Sequence, residues 1–225
     1  MPKNELDIAV LGNYLNLAHP DAAALHAIQE KYYAHIRFAS LLGCGMVGTE
    51  TGAPNAEYKF CRSAAAMPPL LPYQDFKPVV RCAEQYGVTI AIEPVVRHIA
   101  VCARRARTVL DEIGSPNLQI LLDPVNLLNM ENVDQREEVF AETIELLGKD
   151  VAMIHFKDFF AAGRRRAAGC HRCRTGRYGR LPHHSAVCQG TEALCVRHLG
   201  EHHPGKRSPV PAISAKTVRR VLITN

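Results

Sequence analysis

The 225-residue chain predicts an α/β fold: a partial (β/α)8 barrel of about five parallel βα units, followed by an irregular basic tail expected to be disordered. Three observations carry that prediction. Apolar, β-rich runs alternate with longer helical stretches, and each run ends in a polar or turn residue. The run ends Glu93, Asp123 and His155 follow one another at intervals of about thirty residues, one βα unit each. After about Phe160 both patterns stop.

Taken in order, Asp7–Leu11 is the first expected strand, and a helix over Ala22–Leu42 follows it. Asp21 supplies an N-cap acceptor for that helix and Gly43 a stop. Met46–Glu50 is the second strand; Phe76–Tyr86 is a helix ended by Gly87. Val88–Glu93 is the third strand, and a helix over Ile99–Ile113 ends at Gly114-Ser115-Pro116. Leu118–Asp123 is the fourth strand, Gln135–Leu147 a helix closed by Gly148, and Val151–Phe156 the fifth strand. Gly43-Cys44-Gly45-Met46-Val47-Gly48 has the glycine spacing of a dinucleotide fingerprint but precedes a strand, the wrong order for a phosphate loop.

The chain divides at about residue 160, with 1–159 as the partial barrel and 160–225 as the tail. Residues 161–225 hold 13 Lys plus Arg against two acids, Glu192 and Glu201, whereas residues 1–160 hold 14 bases against 20 acids. The net +5 of the whole chain therefore describes neither part. Such a tail fits a nucleic-acid or zinc module, because basic runs attract phosphate and Cys/His pairs bind metal. Cys170-His171-Arg172-Cys173 supplies one knuckle, but the next cysteines, Cys188 and Cys195, are seven apart and have little apolar residue around them to pack over a metal. Tyr178 alone interleaves an aromatic among the bases, so nucleic acid is not favoured as a partner. A binding protein acting through this tail stands as the alternative to an enzyme.

Chemistry gathers at the strand ends, where a parallel barrel builds its active site. Ile92-Glu93-Pro94, Asp123-Pro124-Val125-Asn126 and His155-Phe156-Lys157-Asp158 each deliver one ionisable side chain from the end of an apolar strand. Two carboxylates and an imidazole suit a divalent metal, Mn, Mg, Co or Zn, with positions left open for substrate. Glu50, Arg97, His98 and Asn126 stand close enough in sequence to line a substrate.

These motifs, with Val10-Leu11-Gly12-Asn13-Tyr14-Leu15-Asn16, His19-Pro20-Asp21 and Gly48-Thr49-Glu50-Thr51-Gly52, resemble the sugar phosphate isomerase/epimerase family of xylose-isomerase-like TIM barrels. The resemblance runs from about Asp7 to Asp158. It implies that Glu93 is both metal ligand and acid/base, that Asp123 and His155 are metal ligands, and that a Glu from the last strand completes the set. It also implies a small sugar or sugar phosphate as substrate and proton transfer between adjacent carbons through a metal-bound enediolate, with one carboxylate on each face of the sugar. Family members begin with a further strand and helix, so the chain is expected to lack one unit at the front and two at the back. An unclosed barrel exposes strand edges, and self-association through them is expected.

The missing Glu is legible in another frame. Each adjacent residue pair restricts the triplet one base further on. Shifted so, Leu199 through Ser208 permits Leu-Glu-Asn-Thr-Thr-Pro-Glu-Asn-Ala, and Glu192 through Leu199 permits Lys-Pro-Tyr-Val-Tyr-Ala-Thr. Arg172–Arg180 permits Ala-Ala-Gly-Gln-Gly-x-Met-Asp in the same frame. Three blocks in one frame and in order indicate a frameshift after about residue 160. The chain as written is then expected to be inactive, because one face of the sugar lacks its acid/base.

Composition sets the remaining bounds. At 47% apolar residues the chain has enough for one sizeable core. No stretch spans a membrane, and Met1-Pro2-Lys3-Asn4-Glu5-Leu6-Asp7 has no signal-peptide core. Cys44, Cys61, Cys82 and Cys102 occur singly, the usage of a reduced, cytoplasmic protein.

Overall fold

A computed structural model describes residues 7–57, 73–129, 131–156, 194–197 and 220–223. Five parallel strands form its centre: β1 (Asp7–Gly12), β2 (Met46–Glu50), β3 (Thr89–Glu93), β4 (Leu118–Leu122) and β5 (Val151–Phe156). Four helices connect or flank them: α1 (Ala22–Leu41), α2 (Lys77–Tyr86), α3 (Ala103–Ile113) and α4 (Arg136–Leu147). The molecule is thus a partial barrel, in the strand order the sequence predicts.

Local signals set the boundaries. Asp21 accepts the Ala24 N–H at 2.8 Å, capping α1. Gly87 and Gly114 end α2 and α3 in the left-handed conformation, φ 63° and 65°, that a side chain would resist. One helix differs from expectation. The stretch predicted from Ile99 becomes helical only at Ala103, because the Ile99 and Ala100 N–H groups donate to Gly52 O (3.1 Å) and Thr51 Oγ1 (2.9 Å). These bonds fasten the β3–α3 loop to the end of β2.

Two further strands come from the stretch expected to be irregular. β6 (Leu194–Arg197) pairs parallel with β5, and β7 (Arg220–Ile223) parallel with β1, giving the order β6-β5-β4-β3-β2-β1-β7. The two edges expected to lie open are therefore each paired. An edge strand presents a row of unpaired backbone groups, and Leu-Cys-Val and Val-Leu-Ile are the most β-prone runs of the tail. The rest of the tail, with Cys170, Cys173 and Cys188, lies outside the described residues, as does Cys61. Cys44, Cys82 and Cys102 are free thiols.

Alternation along the strands separates two cores. Val47, Ile90, Ile92, Ile120, Leu122 and Ile154 pack outward against Ile36, Val80, Ala106, Leu110 and Leu147 of the helices. Ala91, Leu121 and Met153, with Ala9, Val10 and the half-buried Met46, form a smaller inward cluster. Thr49 faces outward and meets Tyr32 of α1, which is fully buried. The Tyr32 hydroxyl donates to the carbonyls of Asn13 (2.6 Å) and Leu15 (3.1 Å) and shares a 2.6 Å hydrogen bond with the Thr49 hydroxyl. Tyr32→Phe strands these acceptors without changing shape and is expected to cost about 1–3 kcal/mol. Urea unfolding should show a lower midpoint at unchanged slope; an unchanged midpoint would show that these hydrogen bonds do not stabilise the fold.

Candidate metal centre

The inward cluster forms the floor of the site. Two positions beyond Gly48, Ala91, Leu121 and Met153 stand Glu50, Glu93, Asp123 and His155, so period two points all four side chains inward at the C-terminal ends of the strands. Glu93, Asp123 and His155 are 5%, 1% and 2% exposed. One ligand atom from each lies within 4.8 Å of the other two, with His155 Nδ1 3.6 Å from Glu93 Oε1. Ligand atoms about 2.1 Å from a shared ion stand roughly 3–4 Å apart, so this spacing fits a single cation. Charge points the same way. Two buried carboxylates facing one imidazole leave net negative charge even when the ring is protonated, and buried charge is costly without a counter-ion.

Neighbouring groups orient these ligands. Asn126 Nδ2 donates to Glu93 Oε1 at 2.6 Å. Asp123 Oδ1 accepts the Val125 N–H at 3.0 Å, capping the short 3-10 turn Pro124–Leu127 that carries Asn126. The Val96 N–H donates to Asn126 O at 3.0 Å, joining the loops that follow β3 and β4.

Glu50 is the register partner of Glu93 on the adjacent strand. Its carboxylate lies 3.3 Å from Nδ1 of His98, which is 1% exposed. Burial pushes the His98 imidazole down to about 4, partly countered by the negative charge of Glu93. His98 is thus a neutral ring at neutral pH. Since its folded value lies below the unfolded value, the stability it contributes is complete above about pH 6.5 and drains as pH falls toward 4, about 3 kcal/mol in all. His98→Gln should therefore flatten the decline of the melting temperature between pH 7 and 4.5; a parallel decline in both proteins would refute this.

Of the residues the sequence singled out, Glu93, Asp123 and His155 come together, Asn126 touches Glu93, and Glu50 pairs with His98. Arg97 is exposed on the loop after β3. Tyr14, within Val10-Leu11-Gly12-Asn13-Tyr14-Leu15-Asn16, has no role that the sequence alone assigns. The structure puts it beside Gly12 and Gly48 at the rim of the site, where Glu93, Glu50 and Asp123 act on it electrostatically. A strand-ending glycine two residues before an aromatic was the available signal.

Parallel βα units with a buried Glu, Asp and His group that could hold a cation at the C-terminal ends of the strands define a class, the parallel α/β barrels with a candidate metal centre. Over residues 1–187 the chain matches the xylose isomerase-like TIM barrel family, and it belongs to that family. No curated protein sequence matches it. Among solved structures it resembles the probable 3-DHS dehydratase AsbF of Bacillus anthracis (16% identity, TM-score 0.60, covering 84% of this chain and 69% of that one). It also resembles the IOLI protein with a bound zinc atom (13%, 0.56, 84% and 66%). A third similar structure is D-psicose 3-epimerase with D-tagatose from Clostridium cellulolyticum H10 (14%, 0.56, 84% and 63%). The chain thus spans about two thirds of the length of these proteins, and at such identities the likeness shows the shared fold. No helix among the described residues is long and apolar enough to cross a membrane.

Proposed function

We propose that the chain derives from a metal-dependent sugar or sugar phosphate isomerase/epimerase that moves a proton between adjacent carbons of a ketose or aldose. The observation that carries this reading is the buried Glu93, Asp123 and His155 cluster at the inward-facing strand ends. Family membership and the likeness to a zinc-bearing protein and a ketose epimerase support it.

Glu93, Asp123 and His155 would hold a divalent ion, Mn, Mg, Co or Zn. Once bound, such an ion stabilises negative charge developing on the substrate oxygens. Glu93 takes the proton from carbon. Asn126 fixes which Glu93 oxygen points toward His155, and so which oxygen is left for the substrate. Glu50, His98 and Arg97 would line the sugar on the β2–β3 side. The neutral His98 ring lies beside the Glu50 carboxylate, and Arg97 would supply positive charge toward an anionic group such as a phosphate.

Epimerisation requires a second carboxylate on the opposite face of the sugar. We assign that role to the Glu of the shifted-frame peptide, absent from the chain as written. The test is ketose epimerisation by the 225-residue chain and by its frame-restored counterpart in Mn2+. Activity confined to the restored protein supports the proposal, and inactivity of both overturns it.

A further inference from the structure

Tyr14 is held at the rim of the site from three directions. Both residues flanking it are fastened: the Asn13 and Leu15 carbonyls accept from the buried Tyr32 hydroxyl, at 2.6 and 3.1 Å. The Asn13 N–H donates to Gly48 O at 2.8 Å, tying the loop to β2. The ring itself rests over glycine. A Cβ on Gly12 would lie 2.8 Å from Tyr14 Cε2, closer than any side chain tolerates, and one on Gly48 would lie 3.9 Å from the Tyr14 hydroxyl. A larger residue at Gly12 would evict the ring. Gly48 belongs to the floor, because a Cβ there would meet Val10 at 3.1 Å and Leu121 at 3.2 Å. The phenol therefore lies across the ends of β1 and β2, with 36% of the residue open to solvent.

We propose that Tyr14 is a substrate-binding residue that closes the β1–β2 side of the site, its ring lying against the carbon chain of a bound sugar and its hydroxyl donating to a sugar oxygen. This rests on the sugar reading above. The chemistry suits the ligand, since a polyol presents C–H faces to an aromatic ring and oxygens to a phenolic donor. Glu93, Glu50 and Asp123, with burial as the larger cause, hold the phenol protonated far above neutral pH, so it keeps its donor proton. Such a residue contributes affinity and selects substrate shape without being one of the candidate metal ligands.

The experiment compares the 225-residue chain with Tyr14→Phe and Tyr14→Ala by equilibrium titration of D-tagatose in saturating Mn2+, and separately by Mn2+ titration alone. Tyr14→Phe is expected to weaken the sugar about 5- to 10-fold, the effect of one neutral hydrogen bond, and Tyr14→Ala to weaken it further. Mn2+ affinity should stay within about twofold in both variants, as expected for a residue outside the ligand set. Wild-type sugar affinity in Tyr14→Phe would overturn the donor role. An equal loss of Mn2+ and sugar affinity would also overturn it, placing Tyr14 in the support of the metal site instead. Mn2+ binding without any sugar binding by the unmodified chain would overturn the sugar reading and this assignment together, a result distinct from failure of Tyr14 alone.

Discussion

Asp123→Asn is expected to weaken Mn2+ binding by about 100- to 1,000-fold while leaving the metal-free protein at least as stable as its parent. The replacement preserves volume, and its amide oxygen still accepts the Val125 N–H that caps the turn after β4. What it removes is one of two negative charges beside a single imidazole, all three groups being nearly inaccessible to water. Without metal those charges repel one another across a few ångströms of low-dielectric surroundings, so neutralising one relieves strain in the empty protein. With metal, the same loss removes a charged ligand. Opposite signs in the two measurements identify a binding site, because a carboxylate serving only as a turn cap, a role Asn fills equally well, would leave both stability and Mn2+ affinity nearly unchanged. The checks are Mn2+ titration followed by electron paramagnetic resonance and thermal unfolding of the metal-free protein. Unchanged Mn2+ affinity in Asp123→Asn would show that Asp123 is not a metal ligand.

How far the sequence disclosed this site follows from how local its determinants are. A ligand at the end of an apolar strand is announced by its own neighbours, so Ile90-Ala91-Ile92-Glu93 and Ile120-Leu121-Leu122-Asp123 exposed Glu93 and Asp123 directly. Their spacing of about one βα unit then put them on successive strand ends. The start of α3 was not local in this sense. Ile99 and Ala100 have the apolar character of a helix face, yet their N–H groups are captured by Gly52 and Thr51, nearly fifty residues earlier. Tyr14 escaped for the same reason, since its placement depends on Tyr32 from α1 and Gly48 from β2. The strands β6 and β7 were hidden differently. Their four-residue runs are too short to stand out in a basic tail, and what recruits them is the unpaired edge of β5 or β1.

Restoring the shifted frame is expected to raise ketose epimerisation by about 100- to 10,000-fold over the 225-residue chain, the range associated with one positioned acid/base group. Geometry explains why Glu50 is not expected to serve as the proposed second carboxylate. Glu50 and Glu93 are register partners on neighbouring parallel strands, their backbones about 4.8 Å apart, so both carboxylates rise from the same wall. A proton removed from one face of a carbon and returned to the other needs its second carboxylate across the substrate, from a strand on the far side of the barrel. The Glu50 carboxylate lies 3.3 Å from His98 Nδ1, on the β2–β3 side. The Glu in Leu-Glu-Asn-Thr-Thr-Pro-Glu-Asn is the residue proposed for that role, as the family resemblance implies. Both proteins should bind Mn2+ through Glu93, Asp123 and His155, so the difference should appear in turnover far more than in metal affinity. Incorporation of solvent deuterium at the epimerised carbon separates the two halves of the reaction. If Glu93 alone removes and returns its proton, the 225-residue chain should exchange slowly without inverting the centre, whereas the restored protein should exchange and invert. Inversion by the 225-residue chain at the rate of the restored protein would show that the second acid/base is already present among its own residues.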